Sequence, residues 1–99
     1  MSFREFDLSC RYDARQNFYG KARVRVSVEE QDNMIYEVQE LLSYGTLVAR
    51  ITYNKETNLS TYEYLGRYSP TTTRHQKEFF KQYGLSDKEI KELFKNGVL

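Results

Sequence analysis

Ninety-nine residues, 39% of them hydrophobic and 29% charged, suit one globular domain with one modest core and exclude a disordered chain. Fifteen Lys/Arg against fourteen Asp/Glu leave a net charge of +1, which argues against a generic polyanion binder. No run approaches the ~20 apolar residues of a membrane span. The opening "MSFREFDLSC" carries charges where an export signal needs an apolar stretch, and Cys10 has no second cysteine to pair with, so the expected compartment is a reducing cytosol.

Up to Gly66 the hydrophobic period is two. "SFREFDLSC" predicts an edge strand. In "ARVRVSVE", Ala22, Val24, Val26 and Val28 fall on one face and Arg23, Arg25, Ser27 and Glu29 on the other, a half-buried strand. That strand is expected to begin near Phe18, with Gly20 as a bulge. "EEQDN" (29–33) reads as a turn, after which "MIYEVQELLS" resumes alternation through Met34, Tyr36 and Val38. "SYGT" (43–46) supplies the next turn. "TLVARITY" then sets Leu47, Ala49, Ile51 and Tyr53 against Val48, Arg50 and Thr52. "NKETN" (54–58) closes a further hairpin before "LSTYEYLG". Connections this short imply an antiparallel meander of four or five strands.

Beyond Gly66 the period becomes helical. Ser69 suits an N-cap and Pro70 the first helical position, where no N–H is needed. Gly84 suits a left-handed stop, so residues 69–83 are expected to form a helix with Thr72, Gln76, Phe79, Phe80 and Tyr83 inward. "SDKE" (86–89) is a capping box that opens a second helix, ended by Gly97 and facing inward through Ile90, Leu93 and Phe94. The expectation is a single α+β domain over 1–99, with a sheet in 1–66 and a helical pair in 67–99 packed on one face of it.

The acid/base inventory is thin. His75 is the only histidine, no second nitrogen or sulfur ligand accompanies it, and Cys10 is remote, so neither a metal centre nor a nucleophile pair is expected, nor any cofactor. His75 is expected to hydrogen-bond the helix N-terminal backbone or to pack on Tyr68. The threonines of "SPTTTR" offer hydroxyls to a phosphate, but helix capping already accounts for Ser69 and Pro70. The chain is therefore read as a non-enzyme.

Charge is segregated. Residues 1–28 carry six Lys/Arg against three Asp/Glu, residues 29–65 two against seven, and residues 66–99 seven against four. Arg74, Lys77 and Lys81 share one helical stripe, Lys88, Lys91 and Lys95 repeat the spacing on the second helix, and Arg67 lies just before. These seven residues are candidates for contact with phosphates or an acidic protein. Glu29, Glu30, Asp32, Glu37 and Glu40 of the middle segment are candidates for mimicking phosphates on a basic partner. Tyr62 and Tyr64 share a strand face and suit protein contact better than base stacking, because the strand motif of an RNA-recognition sheet is missing.

Three stretches, "DARQNFYGKARV" (13–24), "LLSYGTLVARI" (41–51) and "YSPTTTRHQKEFFKQYGL" (68–85), resemble a family of short uncharacterised proteins from phages and mobile elements of Firmicutes. The family pattern has a Phe-Tyr-Gly-Lys-Ala turn, a Ser-Tyr-x-Thr turn and a Tyr-Ser-x-Thr-Thr-x-Arg-His helix start. Here Asn17 stands where serine is usual, and Gln76 and Phe80 where aliphatic residues are. The resemblance implies a small cytoplasmic protein of a mobile element. The expected function is a non-enzymatic inhibitor of a host defence protein, such as a CRISPR effector, acting by protein–protein contact. The alternative is a small DNA- or RNA-binding regulator using the basic stripes.

Overall fold

The period-two segments pair in chain order. The computed structural model describes residues 3–14 and 17–99, with Phe3 described by its backbone alone. Strands β1 (Phe3–Asp7), β2 (Ala22–Gln31), β3 (Met34–Ser43), β4 (Thr46–Asn54) and β5 (Leu59–Tyr64) precede helices α1 (Pro70–Gln82) and α2 (Asp87–Asn96). The sheet has the order β1-β2-β3-β4-β5, antiparallel at every step, so the meander has five strands. Both helices pack on one face of it, through a core that includes Val24, Leu41, Val48, Phe79, Phe80 and Leu93. The protein is α+β.

Register assigns the two faces. Ala22 pairs with Ser43, Val24 with Leu41 and Val26 with Gln39, and all six are buried beneath the helices. Met34, Tyr36 and Val38 alternate as expected but point to the uncovered face, in phase with Glu40. A bulge between Leu41 and Leu42 makes Leu41 pair with Ala49 and Leu42 with Leu47. The sequence pattern put Leu47 in phase with Ala49. The bulge breaks that phase, and Val48 and Ala49 both enter the core.

Two expectations at turns are corrected. Residues 29–31 are not turn but strand. The turn is only Asp32-Asn33, both at positive φ (53° and 66°), as a two-residue hairpin that follows the strand twist requires. Gly20 (φ 73°) is not a bulge and Phe18 is not strand. Phe18 and Lys21 close a turn, with the Lys21 N–H donating to the Phe18 carbonyl at 3.0 Å. Phe18 is buried all the same, in the core.

The helix punctuation acts as read. Ser69 Oγ accepts from the Thr72 N–H, and Ser86 and Glu89 form a reciprocal capping box. Gly97 ends α2 in the left-handed region (φ 84°). The tail then turns back onto β5, exchanging hydrogen bonds between Leu99 and Tyr62 (3.1 and 2.9 Å), so that edge of the sheet is covered. The helices lie over the half of the sheet next to the Ser43–Thr46 turn. Toward the Asp32-Asn33 turn exposure rises, to 39% at Ile35.

Candidate binding surfaces

The interior polar groups serve the fold. His75 is buried (1% exposed), with Nδ1 2.8 Å from Ser43 Oγ, which lies 2.9 Å from Thr72 Oγ1. Its ring packs edge-on against Phe18 at 4.5 Å and lies 5.9 Å from that of Tyr44. The expected backbone bond or Tyr68 contact gives way to this Ser43 bond. The reason is helical phase: His75 lies between Thr72 and Phe79 on the inward stripe, directly over β3. Gln76 is also buried. Its amide N–H groups reach the Val48 and Gly66 carbonyls at 2.9 and 3.0 Å, fastening α1 to the bulge, while its Oε1 accepts no bond among the described residues. Cys10 packs against the core cluster. Among the described residues, no three His, Cys, Asp or Glu side chains gather as a metal ion would need. No helix among them is long and apolar enough to cross a membrane.

The basic stripe of α1 borders a recess of about 250 Å³, lined by Tyr12, Asp13, Ala14, Arg74, Lys77, Glu78 and Lys81. Its floor is a carboxylate that the sequence did not flag. Glu78 is buried and accepts from the Tyr12 and Asp13 N–H groups at 2.9 and 2.8 Å and from the Gln82 amide at 2.6 Å, holding segment 12–14 against α1. On a bare helix projection Glu78 looks like any solvated glutamate. Arg74 pairs with Asp13 (3.2 Å) and Lys81 with Asp87 (2.9 Å), while Lys77 is exposed. Arg67 is exposed just before α1, and Lys88, Lys91 and Lys95 are exposed along α2. Near the other end of α1, burial chiefly, and Glu37 secondarily, raises the Tyr83 pKa above the ordinary tyrosine value, against a smaller opposing effect of Arg4.

The five acidic candidates do not share one surface. Glu40, only 15% exposed at its side chain, takes Arg25 on one carboxylate oxygen and Arg50 on the other, each at 3.1 Å. It sits in a row that crosses all five strands in direct register, Glu5, Arg25, Glu40, Arg50 and Glu63. Each neighbour has the opposite sign, so charge along this line on the uncovered face is compensated to within one excess carboxylate. Glu37 lies on the helix-bearing face, accepts from Gln39 (2.8 Å) and lies 3.9 Å from Lys55. Glu29, Glu30 and Asp32 remain at the hairpin tip, exposed and without an ion pair among the described residues. Beside them Met34 and Ile35 are exposed, and at the same end of the sheet, on β5, Leu59 is exposed by 70%.

Tyr62 and Tyr64 are half-buried against the core, and Tyr64 stacks on Phe94 at 4.3 Å. The exposed tyrosines are others: Tyr12, Tyr19, Tyr44 and Tyr68. Two of them stand in Tyr-Gly dipeptides (19–20 and 44–45) with tyrosine at positive φ, whereas in the third Tyr-Gly of the chain (83–84) Tyr83 caps α1 at φ −96°.

A sheet with one nearly compensated charge row and two helices on one face, with buried polar groups tied into the fold and charged groups gathered at its ends, defines a small α+β domain whose distinctive chemistry lies on its surface. The chain belongs to a family of unknown function (DUF8033), which it matches over residues 6–96. No curated protein and no solved structure matches it.

Proposed function

We propose that this protein is a non-enzymatic binding protein that works by protein–protein contact through the tip of its β2–β3 hairpin. The observation that carries the reading is the combination at that tip of Glu29, Glu30 and Asp32, which make no ion pair among the described residues, with exposed Met34 and Ile35. Exposed apolar side chains ringed by charge favour a protein partner. The carboxylates repel nucleic-acid phosphates and attract the basic surface of a protein that handles them. The resemblance to short proteins of phages and mobile elements makes that partner a host protein in the bacterial cytoplasm. The reading is thus an anti-CRISPR-like inhibitor of a defence nuclease.

The test is capture from nuclease-treated host lysate with the wild-type chain and with a Glu29→Lys, Glu30→Lys, Asp32→Lys variant. One specific protein is expected on the wild type and not on the variant. Capture that survives charge reversal, or that vanishes with nuclease treatment, rejects the reading. The alternative, a regulator that binds DNA or RNA along the helices, draws support from the recess that Arg74, Lys77 and Lys81 border. It predicts a binding constant that falls with salt at a log–log slope near −3 for three to four neutralised phosphates on duplex DNA.

A further inference from the structure

At the opposite end of the sheet two turns lie side by side, joined by the Tyr44 N–H donating to the Lys21 carbonyl at 2.8 Å. Each holds a tyrosine in the left-handed region, Tyr19 at φ 54° followed by Gly20 at 73°, and Tyr44 at φ 52° followed by Gly45 at 81°. That conformation is costly for a side chain with a Cβ and an aromatic ring, and asparagine is the residue such turns ordinarily take. Packing within the chain does little to offset the strain, since Tyr19 is 77% exposed and Tyr44 57%. Tyr68, 51% exposed, stands at the same end. It precedes the α1 cap Ser69, whose hydroxyl lies 3.3 Å from that of Thr72, and Thr72 in turn contacts Ser43 beside Tyr44.

The segments that carry these rings are basic. Segments 17–21, 43–46 and 66–77 hold Lys21, Arg67, Arg74 and Lys77 and no carboxylate, and the first turn of α1 has no acidic residue. Arg74 is paired with Asp13, whereas Lys21 and Arg67 are exposed. Apart from Pro70, no exposed aliphatic side chain lies in these segments. Exposed Met34, Ile35 and Leu59 are at the far end. Tyrosine rings displayed among cations, without an apolar rim, match bases and phosphates better than they match a protein pocket. The bases must be unpaired, because ring faces within a duplex are already stacked on each other.

We infer that this end of the molecule, formed by Tyr19, Tyr44, Tyr68, Lys21 and Arg67, is a binding site for single-stranded nucleic acid. The site goes beyond the protein-contact reading and does not depend on it, because it uses the opposite end of the sheet.

The test is fluorescence anisotropy at low salt with labelled single-stranded DNA, single-stranded RNA and duplex DNA of about ten nucleotides, within the span of known single-strand sites. Single strands are expected to bind at micromolar concentration and more tightly than duplex. Tyr19→Asn and Tyr68→Ala are each expected to weaken them about tenfold, the weight of one stacked base. Tyr19→Asn keeps the turn and is expected to melt no lower than wild type, which separates lost binding from lost folding. An Arg74→Glu, Lys77→Glu variant marks the helical stripe instead. If duplex binds as well as single strands, and only that variant matters, the aromatic site is rejected while the helical alternative stands. No binding at roughly 100 μM of any strand, or tyrosine variants that bind as wild type, rejects it too.

Discussion

The two ends of the sheet were built by different means. At the end next to the helices, Ala22, Leu41, Ser43, Val48 and Ala49 are sealed under Phe79 and Phe80, and buried polar side chains fix α1 in place. At the other end, β2 and β3 run on to Asp32-Asn33 with few helical contacts, held by ladder hydrogen bonds and a tight turn. A ten-residue strand spans about 33 Å, enough to keep the two ends chemically separate. The covered end displays tyrosines and cations, the bare end carboxylates and aliphatics. Cooperative stability therefore belongs mainly to one end, while both are open to partners.

The largest expected effect breaks the covered end directly. Phe79→Ala should cost about 3–5 kcal/mol, since it empties a fully buried site between sheet and helices. Ile35→Ala, on the bare end, should stay within about 0.5 kcal/mol of wild type. Urea unfolding of the two variants measures both. Comparable losses would erase the distinction drawn here, because they would place the hairpin tip inside the cooperative core.

How legible this division was depends on the kind of signal. Strand alternation, the Ser69-Pro70 start, the Ser86 to Glu89 box and Gly97 are local and carry their geometry with them, so the five strands and both helices could be read from the chain. What escaped needed long-range pairing. Helical phase turns His75 inward but does not name Ser43 as its partner, and Glu78 looks like an ordinary helix-surface glutamate until the N–H groups of Tyr12 and Asp13 are brought to it. The charged row from Glu5 to Glu63 appears only once five registers are known. The acidic candidates suffered the same way. Strand parity and register send Glu29 and Glu40 to the uncovered face and Glu30 and Glu37 to the helix-bearing one, so nearness to the turn alone groups Glu29, Glu30 and Asp32.

A gain of stability is expected at the covered end from a change that leaves its core alone. Tyr19→Asn converts a strained Tyr-Gly turn into Asn-Gly, which adopts paired positive φ readily, and should stabilise the protein by about 0.5–1 kcal/mol. A thermal melt checks it. Together with weaker strand binding, a higher melting temperature would show stability given up locally for a surface function. A lower one would mean that the Tyr19 ring is held by contacts its exposure does not suggest.

The smallest effect concerns the start of α2, the helix whose Phe94 rests on Tyr64 of β5. Glu89 accepts the Ser86 N–H at 2.9 Å, and this backbone bond first, then the Ser86 side chain, lowers its pKa below the ordinary glutamate value. A carboxylate with a depressed folded-state pKa contributes stability above its unfolded pKa of about 4.3, and loses that contribution as pH falls through the lower folded value. Glu89→Gln keeps a hydrogen-bonding amide but removes the charge from the helix N-terminus. The variant should therefore melt slightly below wild type at pH 7, and the gap should close as pH falls below about 4. The change should loosen α2 and the strand beneath it while amide exchange at the β2–β3 tip stays as it was. Acid-sensitive exchange at the tip in step with α2 would show that the two ends unfold as one.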